Sequence, residues 1–359
     1  VRAAIKRGTR IVLDSIADPV PGPGQVLVRT RACGICGSDL HALHDGAAFA
    51  RINRRPGAEN PFDPARDIVF GHEFACEIID YGPGTNRRLS PGTLVTSIPR
   101  LLDAKGSHPI GFSNTASGGY AERMLLSEAL LLAVPNGLSA AEAALTEPFA
   151  VGEHAVAAAD LRTAEAALVV GCGPIGLAVI AALKARGFGP VVAADFAAGR
   201  RALAEFLGAD VVLDPAVESP HRCWQDLGVP KTRGERLRLQ EVGGAPGPPL
   251  IFECVGAPGV IQSVIEGAPS GAQVVVVGVC REEDRFEPSM AISKELSLRF
   301  MLTYSAQEFA TTLQNIAEGR IDAGLVVTRR IGLAGVAEAF AALAPPGDEA
   351  KIIIEPGLP

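Results

Sequence analysis

The chain lacks several features that would settle its class at once. The one uncharged run of about 18 residues, 166–183 in a chain of 359, is divided by a turn bearing three Gly and one Pro, so no membrane span is expected. It has no basic excess. Lys and Arg total 33 against 40 Asp and Glu, a formal charge of −7 with a pI near 5.5, which argues against nucleic acid or an anionic membrane as a main partner. The opening residues, Val1-Arg-Ala-Ala-Ile-Lys6, contain no signal-peptide core. Its seven cysteines are irregularly spaced in a long chain. They read as reduced thiols and a metal ligand rather than a disulfide framework, so the expected location is the cytoplasm. No internal repeat is present, and the Ala-rich stretch 155–159 reads as close helix packing.

Three short segments carry chemistry. Cys36 sits in Ala-Cys-Gly-Ile-Cys-Gly-Ser-Asp-Leu-His (32–41), His72 in Gly-His-Glu (71–73), and Glu147 in Thr-Glu-Pro-Phe (146–149). Together they offer a sulfur, an imidazole nitrogen and carboxylate oxygens. That set suits a zinc ion with a position left open for water or substrate. A structural zinc more often takes four Cys or His ligands and is closed, so the mixed set points to catalysis.

A second signal lies downstream. Ala166–Val170 is a short apolar run that reads as a buried parallel strand. It leads into Gly171-Cys-Gly173-Pro174-Ile175-Gly176 and then a helical stretch from Leu177 to Arg186. Another strand, Val191 to Ala194, ends at Asp195. This is the G-x-G-x-x-G fingerprint in its strand–turn–helix context, with an acidic residue about twenty positions on. The helix N-terminus can hold a pyrophosphate. Asp195 would accept hydrogen bonds from the adenosine ribose and repel a 2′-phosphate, which favours NAD.

The two sites together resemble the zinc-dependent medium-chain dehydrogenases, the group of alcohol, sorbitol and threonine dehydrogenases, over nearly the whole chain. Gly118-Gly-Tyr-Ala-Glu122 and Phe252-Glu-Cys-Val-Gly256 also resemble family segments. The second implies that Val255, with Val277 and Val279, lies near the nicotinamide. Glu-Pro after Thr146, where classical alcohol dehydrogenases carry a third cysteine ligand, is more similar to the polyol and threonine branch. The implied fold is α/β, with a β-rich GroES-like catalytic domain (1–149), a doubly wound Rossmann domain (150–302) and a tail (303–359) returning to the first domain. Strands are expected near 166–170, 191–195, 250–253 and 273–277. The run 295–303 looks like the edge strand through which family dimers join their sheets, implying a homodimer or homotetramer.

The resemblance implies zinc-assisted hydride transfer between an alcohol or polyol and NAD. A zinc ion lowers the pKa of the substrate hydroxyl, and the hydride passes to nicotinamide. Ser38 would take the proton and relay it through the cofactor ribose to His41, whose side-chain chemistry suits exchange with solvent. Cys36 and His72 are expected zinc ligands, while Glu73 and Glu147 compete for the third protein position. In polyol-type relatives the glutamate after His binds directly and the Glu-Pro glutamate holds a water.

Two regions depart from the family. Residues 95–120 contain no cysteine, so a second, structural zinc is not expected. The segment between His41 and Gly71 is long and carries Arg51, Arg54, Arg55 and Arg66. It reads either as a loop over the active site or as a solvated basic loop.

Other readings stand beside these. Cys33 and Cys36 form C-x-x-C, but the following Gly-Ser-Asp-Leu-His does not suit a thioredoxin-like pair. Glu147 could cap a helix, and Arg200 could stack on adenine or be solvated. Lys351 could approach the pyrophosphate, although a surface lysine on the last strand is the simpler reading. Cys76, Cys223 and Cys280 read as small core residues. The rival functions are a zinc-free NADPH-dependent quinone or enone reductase and a silent nucleotide-binding protein.

Overall fold

The computed structural model describes residues 1–53, 62–344 and 347–359, without the side chains of residues 52 and 53. Arg54 and Arg55 of the long basic segment lie outside the described residues. The chain forms two compact units. One comprises Val1–Glu147, Phe309–Gly319 and Val327–Pro359; the other comprises Pro148–Glu308 and Arg320–Val326.

The first unit is rich in β structure. Its main sheet runs in the order Leu131–Ala133, Leu94–Ser97, Glu73–Tyr81, Gln25–Gly34, Lys351–Ile354, Val327–Ile331, with Arg123–Ser127 also pairing with Gln25–Gly34. Gln25–Gly34 alternates buried and more exposed positions from Val26 to Arg31, as a strand with one packed face does. Its final residues, Ala32–Gly34, are all buried. The C-terminal strand Lys351–Ile354 runs antiparallel beside that end, with Ile353 opposite Gly34 and Ile354 opposite Cys33. All four of its residues are buried, as expected of an interior strand covered on both faces. The cysteine-free stretch forms an antiparallel hairpin of Arg100–Asp103 and Gly106–Pro109. His108 Nε2 lies 2.9 Å from Asp103 Oδ1 across it.

The second unit contains a six-stranded sheet in which every pairing is parallel. The order is Val211–Leu213, Val191–Ala194, Ala167–Val170, Leu250–Glu253, Gln273–Val276, Ser297–Phe300. The first strand in sequence is therefore central, and the order reverses between Ala167–Val170 and Leu250–Glu253. Crevices at such reversals, beyond the carboxyl ends of the strands, are where doubly wound sheets bind ligands. The register aligns those ends: Val170 pairs with both Ala194 and Glu253, Glu253 with Val276, and Val276 with Phe300. Apolar side chains of four of these strands pack with Trp224, Ile261, Val264 and Ile265. Ser297–Phe300 is an edge strand, and Phe300 and Leu302 beside it are exposed.

All seven cysteines are free. Cys76 and Cys223 are buried, but Cys280 is only partly so. It lies in the irregular segment after the Gln273–Val276 strand, outside the packed elements, and this corrects its reading as a core residue. Among the described residues, no helix is long and apolar enough to cross a membrane.

Candidate functional site

Cys36 follows the Gln25–Gly34 strand and is the N-cap of the helix Gly37–His44. His72 is presented by a turn at Gly71, whose φ is +103°. A Cβ at Gly71 would meet the Tyr120 ring at 2.6 Å and Cys33 Sγ at 2.8 Å, so only glycine fits this crowded left-handed position. Glu73 then opens the next strand, directly opposite Gly34. These connections bring Cys36 Sγ, a ring nitrogen of His72 and a carboxylate oxygen of Glu73 within 4.8 Å of one another. Tetrahedral zinc, about 2.0–2.3 Å from its ligands, needs donor atoms roughly 3.5 Å apart. The donor set of sulfur, nitrogen and oxygen fits that ion, after a small contraction.

The surroundings also favour a cation. Asp39, in the first turn of the same helix, is fully buried. Its Oδ2 accepts hydrogen bonds from the Cys36 backbone N–H at 3.1 Å and the Tyr120 hydroxyl at 2.7 Å. Its Oδ1 faces His72 Nδ1 at 3.5 Å. A carboxylate behind a ligating imidazole fixes the ring and leaves the other nitrogen for a metal. Burial alone would lower the His72 pKa. The negative charges of Asp39 and Cys36 outweigh burial and hold it well above its ordinary value. Tyr120 is itself docked by backbone bonds from Gly119 N to Gly71 O and from Tyr120 N to Phe70 O. The Gly-Gly-Tyr segment thus supports the turn that carries His72.

Lys351 corrects the sequence reading. It is 1% exposed, and its Nζ donates to both oxygens of Glu73 at 2.7 Å and to the Ile35 carbonyl at 3.1 Å. A lysine in a short final strand looks superficial only while its neighbours are unknown. Burial would lower its pKa, but Glu73, Cys36 and Glu147 raise it above the ordinary lysine value. Glu147 lies half-buried in the first turn of the helix Thr146–Ala157. It is near enough to act on Lys351, yet the 4.8 Å cluster includes Glu73 and not Glu147. Ser38 and His41 stand three positions apart on the helix Gly37–His44, hence on one face. Ser38 is half-buried and His41 exposed. In the long basic segment, Arg51 and Arg66 are exposed.

In the second unit, the strand Ala167–Val170 is followed by the 171–173 turn and the helix Pro174–Ala185, capped by Gly173 with Pro174 at its first position. A Cβ on Gly176 would lie 1.8 Å from the Gly171 carbonyl oxygen, so the close packing of turn and helix demands glycine. The N–H groups of Ile175 and Gly176 have no intrahelical acceptor and suit an anion. Asp195 Oδ2 accepts from Cys172 N at 2.8 Å and Oδ1 from Ala197 N at 2.8 Å. The carboxylate is therefore held at the rim of the glycine turn. Arg201 donates to the carbonyls of Asp195 and Phe196 and pairs with Asp214 at 3.0 Å, whereas Arg200 is half-buried. Val255 and Val279 are about half exposed, and Val277 is 5% exposed. Val277 therefore offers little surface to a ligand.

Asp39, Tyr120 and Lys351 are the site residues that sequence reasoning did not assign. The spacing of Asp39 from Cys36, which puts both at the start of one helix, was the available signal for the first.

Two family models match the chain: "Alcohol dehydrogenase GroES-like domain" over residues 22–136 and "Zinc-binding dehydrogenase" over residues 174–318. The chain is 31% identical to (R,R)-butanediol dehydrogenase of Bacillus subtilis, covering 96% of each chain. It is 29% identical to human sorbitol dehydrogenase, covering 91% of this chain and 88% of the relative. Among solved structures, 2R,3R-butanediol dehydrogenase from Bacillus subtilis superposes with a TM-score of 0.79 at 29% identity over 99% of both chains. A zinc-binding dehydrogenase from Sinorhizobium meliloti bound to NADP superposes with a TM-score of 0.81 at 24% identity over 99% of both chains, a likeness of fold.

Proposed function

Because the chain belongs to the zinc-type medium-chain dehydrogenase family, we propose that it is an NAD-dependent alcohol or polyol dehydrogenase with one zinc per chain. The observation that carries this reading is the Cys36–His72–Glu73 cluster, with His72 and Glu73 buried and Cys36 partly exposed, backed by Asp39. The named relatives act on a vicinal diol and a polyol, which supports substrates with neighbouring hydroxyl groups.

Zinc held by Cys36, His72 and a glutamate would supply Lewis acidity to a substrate hydroxyl, and NAD would accept the hydride. The chain's own part is to orient these groups and move the proton. Asp39 Oδ1 faces His72 Nδ1 at 3.5 Å and would orient the ring, and Lys351 holds Glu73 by both oxygens. Ser38 takes the hydroxyl proton and His41, exposed on the same helix face, releases it to water. Glu147 is the alternative carboxylate ligand or the holder of a water. Asp195 binds the adenosine ribose and selects NAD; the glycine turn and the Ile175 and Gly176 N–H groups hold the pyrophosphate. Arg200 borders that site.

The reading extends to assembly and location. The exposed edge strand Ser297–Phe300 would pair with its copy in a homodimer or homotetramer, which light scattering tests. The free cysteines suit the cytoplasm.

The decisive experiment combines zinc content by mass spectrometry with alcohol-dependent absorbance at 340 nm, using butanediol and sorbitol with NAD and NADP. About one zinc per chain and NAD-linked oxidation are expected. A folded Cys36→Ser variant that keeps full activity would overturn the proposal. NADP-only turnover would overturn the assignment of cofactor to NAD.

A further inference from the structure

Glu253 is the last residue of the strand Leu250–Glu253, at the edge where the strands' carboxyl ends align. It is 1% exposed. Its Oε1 accepts two backbone hydrogen bonds, from Val255 N at 2.7 Å and Gly256 N at 2.8 Å. Its backbone carbonyl accepts two more, from Val277 N at 2.8 Å and Gly278 N at 2.9 Å. One residue therefore joins the two segments that follow adjacent strands.

Those segments touch backbone to backbone. A Cβ on Gly278 would lie 2.2 Å from Gly256 N and 2.8 Å from Glu253 Oε2; one on Gly256 would lie 2.5 Å from Val279 N. The first segment also meets the nucleotide turn, since a Cβ on Gly171 would fall 2.7 Å from Val255 Cγ2. Glu253 Oε2 is buried without a hydrogen-bond partner. A carboxyl kept in such a place, with four backbone donors gathered on its residue, serves geometry rather than solvation. Beyond the two segments, Asp284 Oδ1 accepts from Gly259 N at 2.9 Å, a further tie between the stretches that follow them.

We infer that Glu253 is a positioning residue for the nicotinamide half of the cofactor, locking residues 254–256 and 277–279 into one surface that presents Val255 and Val279. The inference rests on the proposed reading of the second unit as the NAD site. Burial also raises the Glu253 pKa against the pull of the Val255 and Gly256 N–H groups. An uncharged amide of the same shape therefore suits the position.

The test is calorimetric titration of the full chain with NADH and, separately, with AMP, which lacks the nicotinamide half. Glu253→Ala should weaken NADH binding about tenfold or more, the loss expected when two buried N–H groups go unpaired. AMP binding should change less than about twofold, because the glycine turn and Asp195 are untouched. Glu253→Gln, which keeps the acceptor, should restore NADH binding to within about threefold. Equal weakening of NADH and AMP, or unchanged NADH binding in a folded Glu253→Ala protein, would overturn the inference. If that variant does not fold, Gly278→Ala must show the same split. Wild-type protein that binds neither nucleotide would instead remove the cofactor reading, and this inference with it.

Discussion

Lys351 Nζ lies 2.7 Å from both carboxylate oxygens of Glu73, and each side chain is 1% exposed. The two residues are 278 positions apart in the chain. The pair borders the candidate metal site, because Glu73 is one of the three side chains that could hold an ion there.

Removing one partner of such a pair leaves a charge stranded in the core. Lys351→Met should lower the unfolding free energy by about 3–5 kcal/mol, and adding Glu73→Gln should recover part of the loss. Urea unfolding of the metal-free protein would measure both. A Lys351→Met protein as stable as wild type would mean that water replaces the pair.

Asp39 touches Cys36, His72 and Tyr120 at once. Asp39→Asn should weaken zinc binding about 10–100-fold, the usual effect of an outer carboxylate on a ligating histidine. Tyr120→Phe should produce a smaller loss, since it removes one of the bonds that orient Asp39. Competition against a chelator would read both constants.

Asp195 is anchored to the glycine turn by its bond from Cys172 N. Replacement by alanine should weaken NADH and improve NADPH relative to it, shifting the preference by about tenfold or more. Fluorescence titration with the two reduced nucleotides tests this. An unchanged ratio would place the selection elsewhere.

His221 carries a pH dependence of stability. Its Nδ1 accepts the Trp224 indole N–H at 3.4 Å. Burial, then the charges of Lys294 and Lys231, push its pKa down to about 4. The folded state therefore resists a proton that the unfolded chain takes up near pH 6.5. Stability should fall as pH drops from about 6.5 to about 4, by roughly 3 kcal/mol from this residue, and then level off. Melting curves of His221→Phe should show a shallower acid slope over that window.

Much of the architecture was legible because its signals are local. The left-handed φ of +91° at Gly171 and the close approach of Gly176 to the Gly171 carbonyl are constraints set within a few residues, and the apolar run before them becomes the central strand. Cys36 and His72 could be named from their neighbours in sequence. Lys351 could not, since its burial depends on a strand register with residues more than three hundred positions earlier. Asp39 and Tyr120 were hidden for a similar reason. Each resembles an ordinary helix-start or aromatic residue until the 69–71 turn brings them together. Sequence alone leaves Glu73 and Glu147 equal, because both follow plausible motifs; the fold places Glu73 within 4.8 Å of Cys36 and His72.

The distance along the chain between Glu73 and Lys351 has a consequence for biosynthesis. At about 5–20 residues per second, a ribosome needs roughly 15–55 s to travel from codon 73 to codon 351. Throughout that interval the nascent polypeptide possesses its cysteine, histidine and glutamate donors but not the cation that balances the glutamate. The strand Lys351–Ile354 also occupies an interior place in its sheet. A Glu73 balanced by its lysine must therefore await the emergence of Lys351. Stalled or prematurely terminated chains would display the donors without the means to keep them in place.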